Sequence, residues 1–132
     1  MNQPASPRFL LVSAALVGVM IVWSAIGCHY PSDWLLENVL VIAAVAYVAS
    51  TRRVVPLSRL SYGLIVVFLG LHEIGAHSTF AEVPYDRWWQ ALFGTTFNEL
   101  FGFQRNHYDR LVHFCYGFLL ARPMRETLMQ SP

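Results

Sequence analysis

"FLLVSAALVGVMIVWSAIGC", from Phe9 to Cys28, is a stretch of 20 residues without a charged side chain. At 1.5 Å per residue a helix of this length spans about 30 Å, the thickness of the hydrocarbon core of a bilayer. A cleaved signal peptide has a shorter apolar region followed by small residues, whereas His29, Tyr30 and Pro31 follow this one. The stretch therefore predicts an uncleaved first membrane span.

The composition of the whole chain agrees with a membrane protein. Of the 132 residues, 55% are hydrophobic and only 13% are charged, whereas about a quarter are charged in ordinary soluble proteins. A net charge of +1, with no basic stripe beyond Arg52 and Arg53, argues against a nucleic-acid partner. We expect the lipid bilayer to be the main partner and residues 1–132 to form a single membrane domain.

Three further spans are predicted after the first one, at about 34–49, 60–76 and 106–122. The fold class is therefore all-α, a polytopic membrane bundle of about four transmembrane helices. The loop with Arg52 and Arg53 connects the second and third spans, and short loops rich in arginine stay on the cytoplasmic side. Both termini should then be cytoplasmic in a multi-pass protein of the bacterial inner membrane.

The segment 77–105, between the third and fourth spans, is too apolar and aromatic for a free loop. A first short helix should end at Gly94, and Thr96 with Glu99 forms a capping box for a second helix that ends at Gly102. Two short interfacial helices on the outer surface are expected, either as a plain aromatic belt or as a lid over a lipid headgroup or substrate. The aromatic residues of this layer are Trp88, Trp89, Phe93, Phe97 and Phe101.

Ionisable residues lie at the outer ends of the third and fourth spans. Residues four apart share a helix face, so Glu73 and His77 pair on one span while Asp109 and His113 pair on the other. Because charged groups at membrane depth are costly, they usually face one another or a wet cavity. We therefore expect these two pairs to meet at the outer face of the membrane.

The first interpretation of this polar cluster is structural. Asn106 would cap the fourth helix, Asp109 would act as the reciprocal acid, and the arginines would neutralise nearby carboxylates. The residues assigned to this structural network are Arg105, Asn106, Tyr108 and Arg110.

The second interpretation is a site for a divalent transition metal such as zinc, because carboxylates and imidazoles on facing helices suit such ions. The spacing H-E-I-G-A-H is not H-E-x-x-H, which weakens this reading. A third is metal-free acid and base chemistry by His113 oriented by Asp109. The candidate metal ligands are His72, Glu73, His77, His107, Asp109 and His113.

Two polar signatures carry a family resemblance, "GLHEIGAHSTFAEVP" and "RNHYDRLVHFCYGFLLARPMRE". In this order they resemble the YjdF-type bacterial inner-membrane family, a conserved domain of unknown function, and "DRLVHFCYGFL" is similar to a segment of VanZ-like membrane proteins. The resemblance implies a polytopic inner-membrane protein and supplies no reaction. Family members continue into further helices after "RPMRE", so the chain is interpreted as a shortened member. The signature positions are His72, Glu73, His77, Arg105, Asn106, His107, Tyr108, Asp109, Arg110 and His113.

Two functional hypotheses follow from these observations. The first is an uncharacterised integral inner-membrane protein whose polar cluster at the outer face has a structural role. The alternative is a metal-dependent membrane hydrolase or transferase acting on an envelope lipid or a cell-wall precursor, with a metal-bound water as nucleophile. A homo-oligomer or a membrane partner is compatible with both hypotheses.

Overall fold

The structure, a computed structural model, describes residues 3–130, so the four outermost residues of the predicted domain lie outside it. The named secondary-structure elements are all α-helices, which confirms the predicted fold class. The helices are α1 (Pro7–Ala25), α2 (Pro31–Thr51), α3 (Arg59–Ser78), α4 (Tyr85–Phe93), α5 (Phe97–Phe101) and α6 (Tyr108–Gln130).

The long helices begin where the sequence supplies capping groups. The Ser6 hydroxyl accepts a hydrogen bond from the backbone N–H of Phe9 at 3.2 Å, and Pro7 occupies the first position of α1. The Ser58 hydroxyl caps α3 in the same way, by accepting from the N–H of Ser61 at 3.2 Å. These caps satisfy N–H groups that have no partner inside the helix.

Within residues 3–130, three helices, α1, α2 and α3, are long and apolar enough to cross a membrane. Four spans were predicted. α6, the fourth of them, does not have the apolar composition that identifies a candidate span. The physical reason is the charge at both ends of α6, where Asp109 and Arg110 open the helix and Arg122, Arg125 and Glu126 lie near its end. The helix also begins at Tyr108 and runs to Gln130, beyond the predicted 106–122.

α3 packs against α1, α2 and α6 and is the central helix. On one side, Val17, Val41 and Leu69 form an apolar core shared by α1, α2 and α3. On the other side, Tyr108 and Val112 of α6 pack with Val83 of the connecting segment into a second core. α3 thus has one face toward α1 and α2 and another toward α6.

α6 lies antiparallel to α3 along most of its length. The Tyr108 hydroxyl donates to the Leu71 carbonyl at 2.6 Å, and the Ser58 hydroxyl donates to Glu126 Oε1 at 2.7 Å. From Tyr108 to Glu126 a helix rises about 27 Å. α6 therefore covers nearly the same depth as α3.

The two short helices between α3 and α6 have the predicted boundaries at their glycines. α4 ends at Gly94 with φ 77°, and α5 ends at Gly102 with φ 68°, both in the left-handed region that glycine adopts without steric cost. The capping box of Thr96 and Glu99 at the start of α5 is also confirmed. α4 begins at Tyr85.

Candidate functional site

The side chain of Ser24, near the end of α1, joins three helices in one polar cluster. Ser24 is fully buried, and its Oγ accepts a hydrogen bond from Trp34 Nε1 of α2 at 2.9 Å. The same Oγ forms a short hydrogen bond with Glu73 Oε2 of α3. We call Ser24, Trp34, Glu73 and His77 the Ser24 cluster.

Ser24 also bonds to its own helix. Its Oγ lies 2.9 Å from the Ile21 carbonyl, which can only accept. Glu73 is 1% exposed, and a buried polar group needs a hydrogen-bond partner. The Ser24 hydroxyl therefore provides the buried Glu73 carboxyl with a partner from another helix.

His77 completes the cluster from one helical turn further along α3. Its Nδ1 lies 3.0 Å from the Ser24 carbonyl, so Nδ1 has to carry the hydrogen in this contact. The imidazole stacks on Trp23 with ring centroids 4.9 Å apart, and the His77 carbonyl accepts from the N–H of His29 at 3.0 Å. Glu73 and His77 thus share a helix face, and that face is directed at α1.

His72 belongs to a different surface of α3. Its Nε2 lies 3.5 Å from Glu37 Oε2 of α2, a distance at which a protonated imidazole forms an ion pair. The contact does not have the geometry of a hydrogen bond. The ring lies between Phe68 and Phe80, with centroids 6.2 and 5.4 Å away. His72 directly precedes Glu73, and side chains at adjacent helix positions point about 100° apart. His72 therefore lies on a different face of α3 from the Ser24 cluster.

The candidate residues of α6 do not reach these histidines and acids. His113 is exposed, and its Nδ1 bonds to the Asp109 carbonyl of its own helix at 2.7 Å. Asp109 lies 3.9 Å from Arg105 in a half-exposed pair, and its Oδ1 accepts from the N–H of Arg110 at 2.8 Å. His107 packs on Phe103 with centroids 4.4 Å apart.

The structure thus does not bring the six predicted metal ligands together. Over residues 3–130, no group of three or more His, Cys, Asp or Glu side chains is arranged to hold a metal ion. The reason is helix rotation, because Tyr108 and Val112 are the buried positions of α6. Asp109 and His113 follow them by one residue each and are turned about 100° away.

Asn106 and Tyr108 hold the start of α6 against the rest of the protein. The Asn106 amide donates to the Val83 carbonyl at 2.7 Å, and its Oδ1 accepts from the N–H of Tyr108 at 2.9 Å. The hydroxyl of Tyr85 accepts from the N–H of His107 at 3.0 Å. These bonds fix the start of α6 to the segment before α4 and to the first residue of α4.

The aromatic residues of α4 and α5 pack mainly on one another. Trp89 contacts Phe93 and Phe97 with centroids 4.4 and 5.1 Å away, and Phe97 contacts Phe101 at 4.5 Å. Trp88, Phe93 and Phe101 are nonetheless 49%, 61% and 56% exposed. The layer therefore presents large aromatic surface outside the helix bundle.

Sequence reasoning missed the partners of Glu73 and His77. Ser24 is one of two serines in the apolar stretch of α1, and Trp34 lies four residues before Asn38, whose amide donates to the Trp34 carbonyl at 3.1 Å. Polar side chains on α1 and α2 were the available signal. A buried polar group requires a partner, and these residues could supply one.

The family described as "Predicted membrane protein (DUF2238)" matches residues 9–131. The chain belongs to this family. It is also 32% identical, over 131 residues, to "Inner membrane protein YjdF" of Escherichia coli (strain K12). This match covers 99% of the chain and 59% of the relative, so the chain spans about three fifths of that protein's length.

No solved structure matches the chain. The family and the relative support the predicted resemblance and, with the three apolar helices, a location in the bacterial inner membrane. The similarity to VanZ-like proteins stays a prediction.

Proposed function

We propose that this inner-membrane protein is a helical scaffold, in which the Ser24 cluster locks α1, α2 and α3 together at their outer ends. The observation that carries the proposal is that one fully buried hydroxyl contacts side chains of two other helices. Interhelical hydrogen bonds of this kind stabilise membrane bundles, whose apolar surfaces gain little from leaving lipid. A structural role accounts for the burial of Glu73, which a substrate would have to reach in an enzyme.

The metal-dependent alternative has less support from the geometry. A catalytic zinc site uses three protein ligands and one open position. Glu73 and His77 are directed at Ser24, whereas Asp109 and His113 lie on an exposed face of α6. A hydrolase or transferase would therefore require α6 to rotate.

The aromatic layer of α4 and α5 supplies the contact surface in this proposal. Trp88 is half exposed, and tryptophan prefers the boundary between the headgroups and the hydrocarbon core. The layer would rest at the outer membrane interface and offer its exposed rings to the bilayer or to a membrane partner.

The proposed topology has four crossings, with both termini in the cytoplasm. α6 supports a fourth crossing because it is paired antiparallel with α3 from Leu71 to Ser58. Reporters fused after Ser50, at Ala81 and at the C-terminus test this arrangement. Ser50 and the C-terminus should report the cytoplasm, and Ala81 should report the opposite side.

Metal analysis of detergent-purified protein separates the scaffold from the enzyme. We expect less than stoichiometric metal in wild type, His77→Ala and His113→Ala. His77→Ala should lower the free energy of unfolding because it removes the contact with the Ser24 carbonyl, while His113→Ala should not. Stoichiometric metal that is lost in both variants would overturn the scaffold proposal.

A further inference from the structure

A second feature of the bundle lies at the opposite end from the Ser24 cluster. α1, α2 and α3 enclose an apolar groove of about 580 Å³, which begins below the Val17 and Leu69 core and opens beside Arg52 and Arg53. This volume falls within the range of about 300 to 1,000 Å³ that is common for ligand sites. We call it the inner groove.

The walls of the inner groove match a hydrocarbon chain. They are formed mostly by aliphatic and small side chains, including Leu10, Ala14, Val45 and Ile65. From Pro7 to Val17 a helix rises about 15 Å, half of the roughly 30 Å hydrocarbon core. The groove therefore has the depth of one leaflet.

The mouth of the inner groove is positively charged. Arg52 and Arg53 line it, and among the described residues none of the lining side chains is acidic. Arg52 uses one N–H group to donate to the Ala49 carbonyl at 2.8 Å, whereas a guanidinium has five N–H donors. Guanidinium groups pair well with phosphate oxygens, and basic pockets between membrane helices bind anionic headgroups.

We propose that the inner groove is a binding site for one acyl chain of an anionic phospholipid, with Arg52 and Arg53 on the phosphate. The lipid comes from the leaflet on the side of these arginines. Its chain fills the space between the inner halves of α1 and α2, and it ends near Val17. The site is independent of the Ser24 cluster and of the scaffold proposal.

The test uses two photoreactive lipids that differ only in their headgroup. Protein is reconstituted in vesicles with a trace of phosphatidylglycerol or of phosphatidylcholine, each with a diazirine at the end of one acyl chain, and the labelled peptides are mapped by mass spectrometry. Phosphatidylglycerol should label the groove residues of α1 and α2 more strongly than phosphatidylcholine does. The preference should fall at high salt, because screening weakens the contact with the headgroup.

Variants separate the headgroup contact from the acyl-chain contact. Arg52→Gln with Arg53→Gln should lower labelling by phosphatidylglycerol, by about five-fold for each arginine, while the two lysine replacements should retain most of it. Ala14→Phe should fill the groove and lower labelling by both lipids. Ala15→Phe, next to it on α1 and outside the groove lining, is the matched control and should not.

Three results would overturn the proposal. The first is equal labelling of the groove by both lipids in wild type, which indicates ordinary contact with bulk lipid. The second is labelling that Ala14→Phe leaves unchanged. The third is groove labelling that is lost as the amount of protein per vesicle rises, which makes a second copy of the chain its occupant.

Discussion

Replacement of Ser24 by alanine removes the atom on which three helices converge. The Trp34 Nε1 group and the Glu73 carboxyl both lose their partner; Glu73 is fully buried and Trp34 is half-buried. In soluble proteins a buried polar group without a partner costs about 1 to 3 kcal/mol. Interhelical hydrogen bonds in membranes average about 0.6 kcal/mol and reach about 1.7. With two such bonds lost, we expect Ser24→Ala to lower the free energy of unfolding by about 1 to 3 kcal/mol.

The assay is equilibrium unfolding of detergent-purified protein by a denaturing detergent, followed by the fluorescence of the tryptophans. Ser50→Ala is the matched control, because the Ser50 hydroxyl donates only to the Tyr47 carbonyl of its own exposed helix turn at 2.9 Å. It should change the unfolding free energy by less than about 0.5 kcal/mol. If Ser24→Ala is as stable as Ser50→Ala, the Ser24 cluster does not hold the helices together.

Three further predictions concern other parts of the protein and use the same unfolding assay or spectroscopy. Glu73→Gln should keep most of the stability that Glu73→Ala loses, since the amide can still form a hydrogen bond with the serine; equal losses would show that this hydrogen bond does not stabilise the bundle. Gly75→Ala places a Cβ against the ring of Phe80 and should cost about 1 to 3 kcal/mol, whereas Gly63→Ala, with nothing within 4 Å, should be neutral or stabilising. The backbone N–H of Thr96 lowers the pKa of Glu99 from 4.5. The charged Glu99 should thus stabilise α5 above pH 4.5, and this stabilisation should be lost as the pH falls through the lowered pKa. NMR chemical shifts of α5 report the loss. Shifts that stay constant over this pH range would contradict the prediction.

The sequence predicted the membrane class and most of the helices because these depend on local patterns. The uncharged run from Phe9 and the Thr96 and Glu99 capping box each act within a few turns of chain, and both were found as expected. The number of spans was harder to predict because α6 combines a short apolar centre with charged ends. The pairing of α6 with α3 depends on tertiary packing, which a hydropathy profile does not describe.

The partners of the polar residues were harder to predict, because they depend on how each helix is rotated. Spacing placed Glu73 and His77 on one face, but it did not say which neighbour that face meets. The shared outer end of the two spans suggested α6, whereas Glu73 bonds to an uncharged serine of α1, which itself accepts from a tryptophan of α2. In a low-dielectric interior a buried carboxyl needs a hydrogen-bond partner, and an uncharged hydroxyl can provide one.

The end of the bundle at the start of α3 shows a similar interaction that no motif indicated. Glu126 of α6 accepts from the N–H and the hydroxyl of Ser58, the residue that caps α3, and from Arg122 Nε. Burial raises the pKa of Glu126, but these hydrogen bonds outweigh it and the net direction is downward. The carboxylate lies at the positive end of the α3 dipole, which favours the charged form. It is separated from Ser58 by 68 residues, so sequence spacing gave no signal.

The most direct measurement of the central claim is a pair of double-mutant cycles on the free energy of unfolding. Ser24→Ala combined with Glu73→Ala should give a coupling of about 0.6 to 1.7 kcal/mol, because the two side chains share a hydrogen bond. His113→Ala combined with Glu73→Ala should give a coupling near zero. Coupling between Glu73 and His113, with none between Glu73 and Ser24, would place the polar face of α3 against α6 and contradict the account.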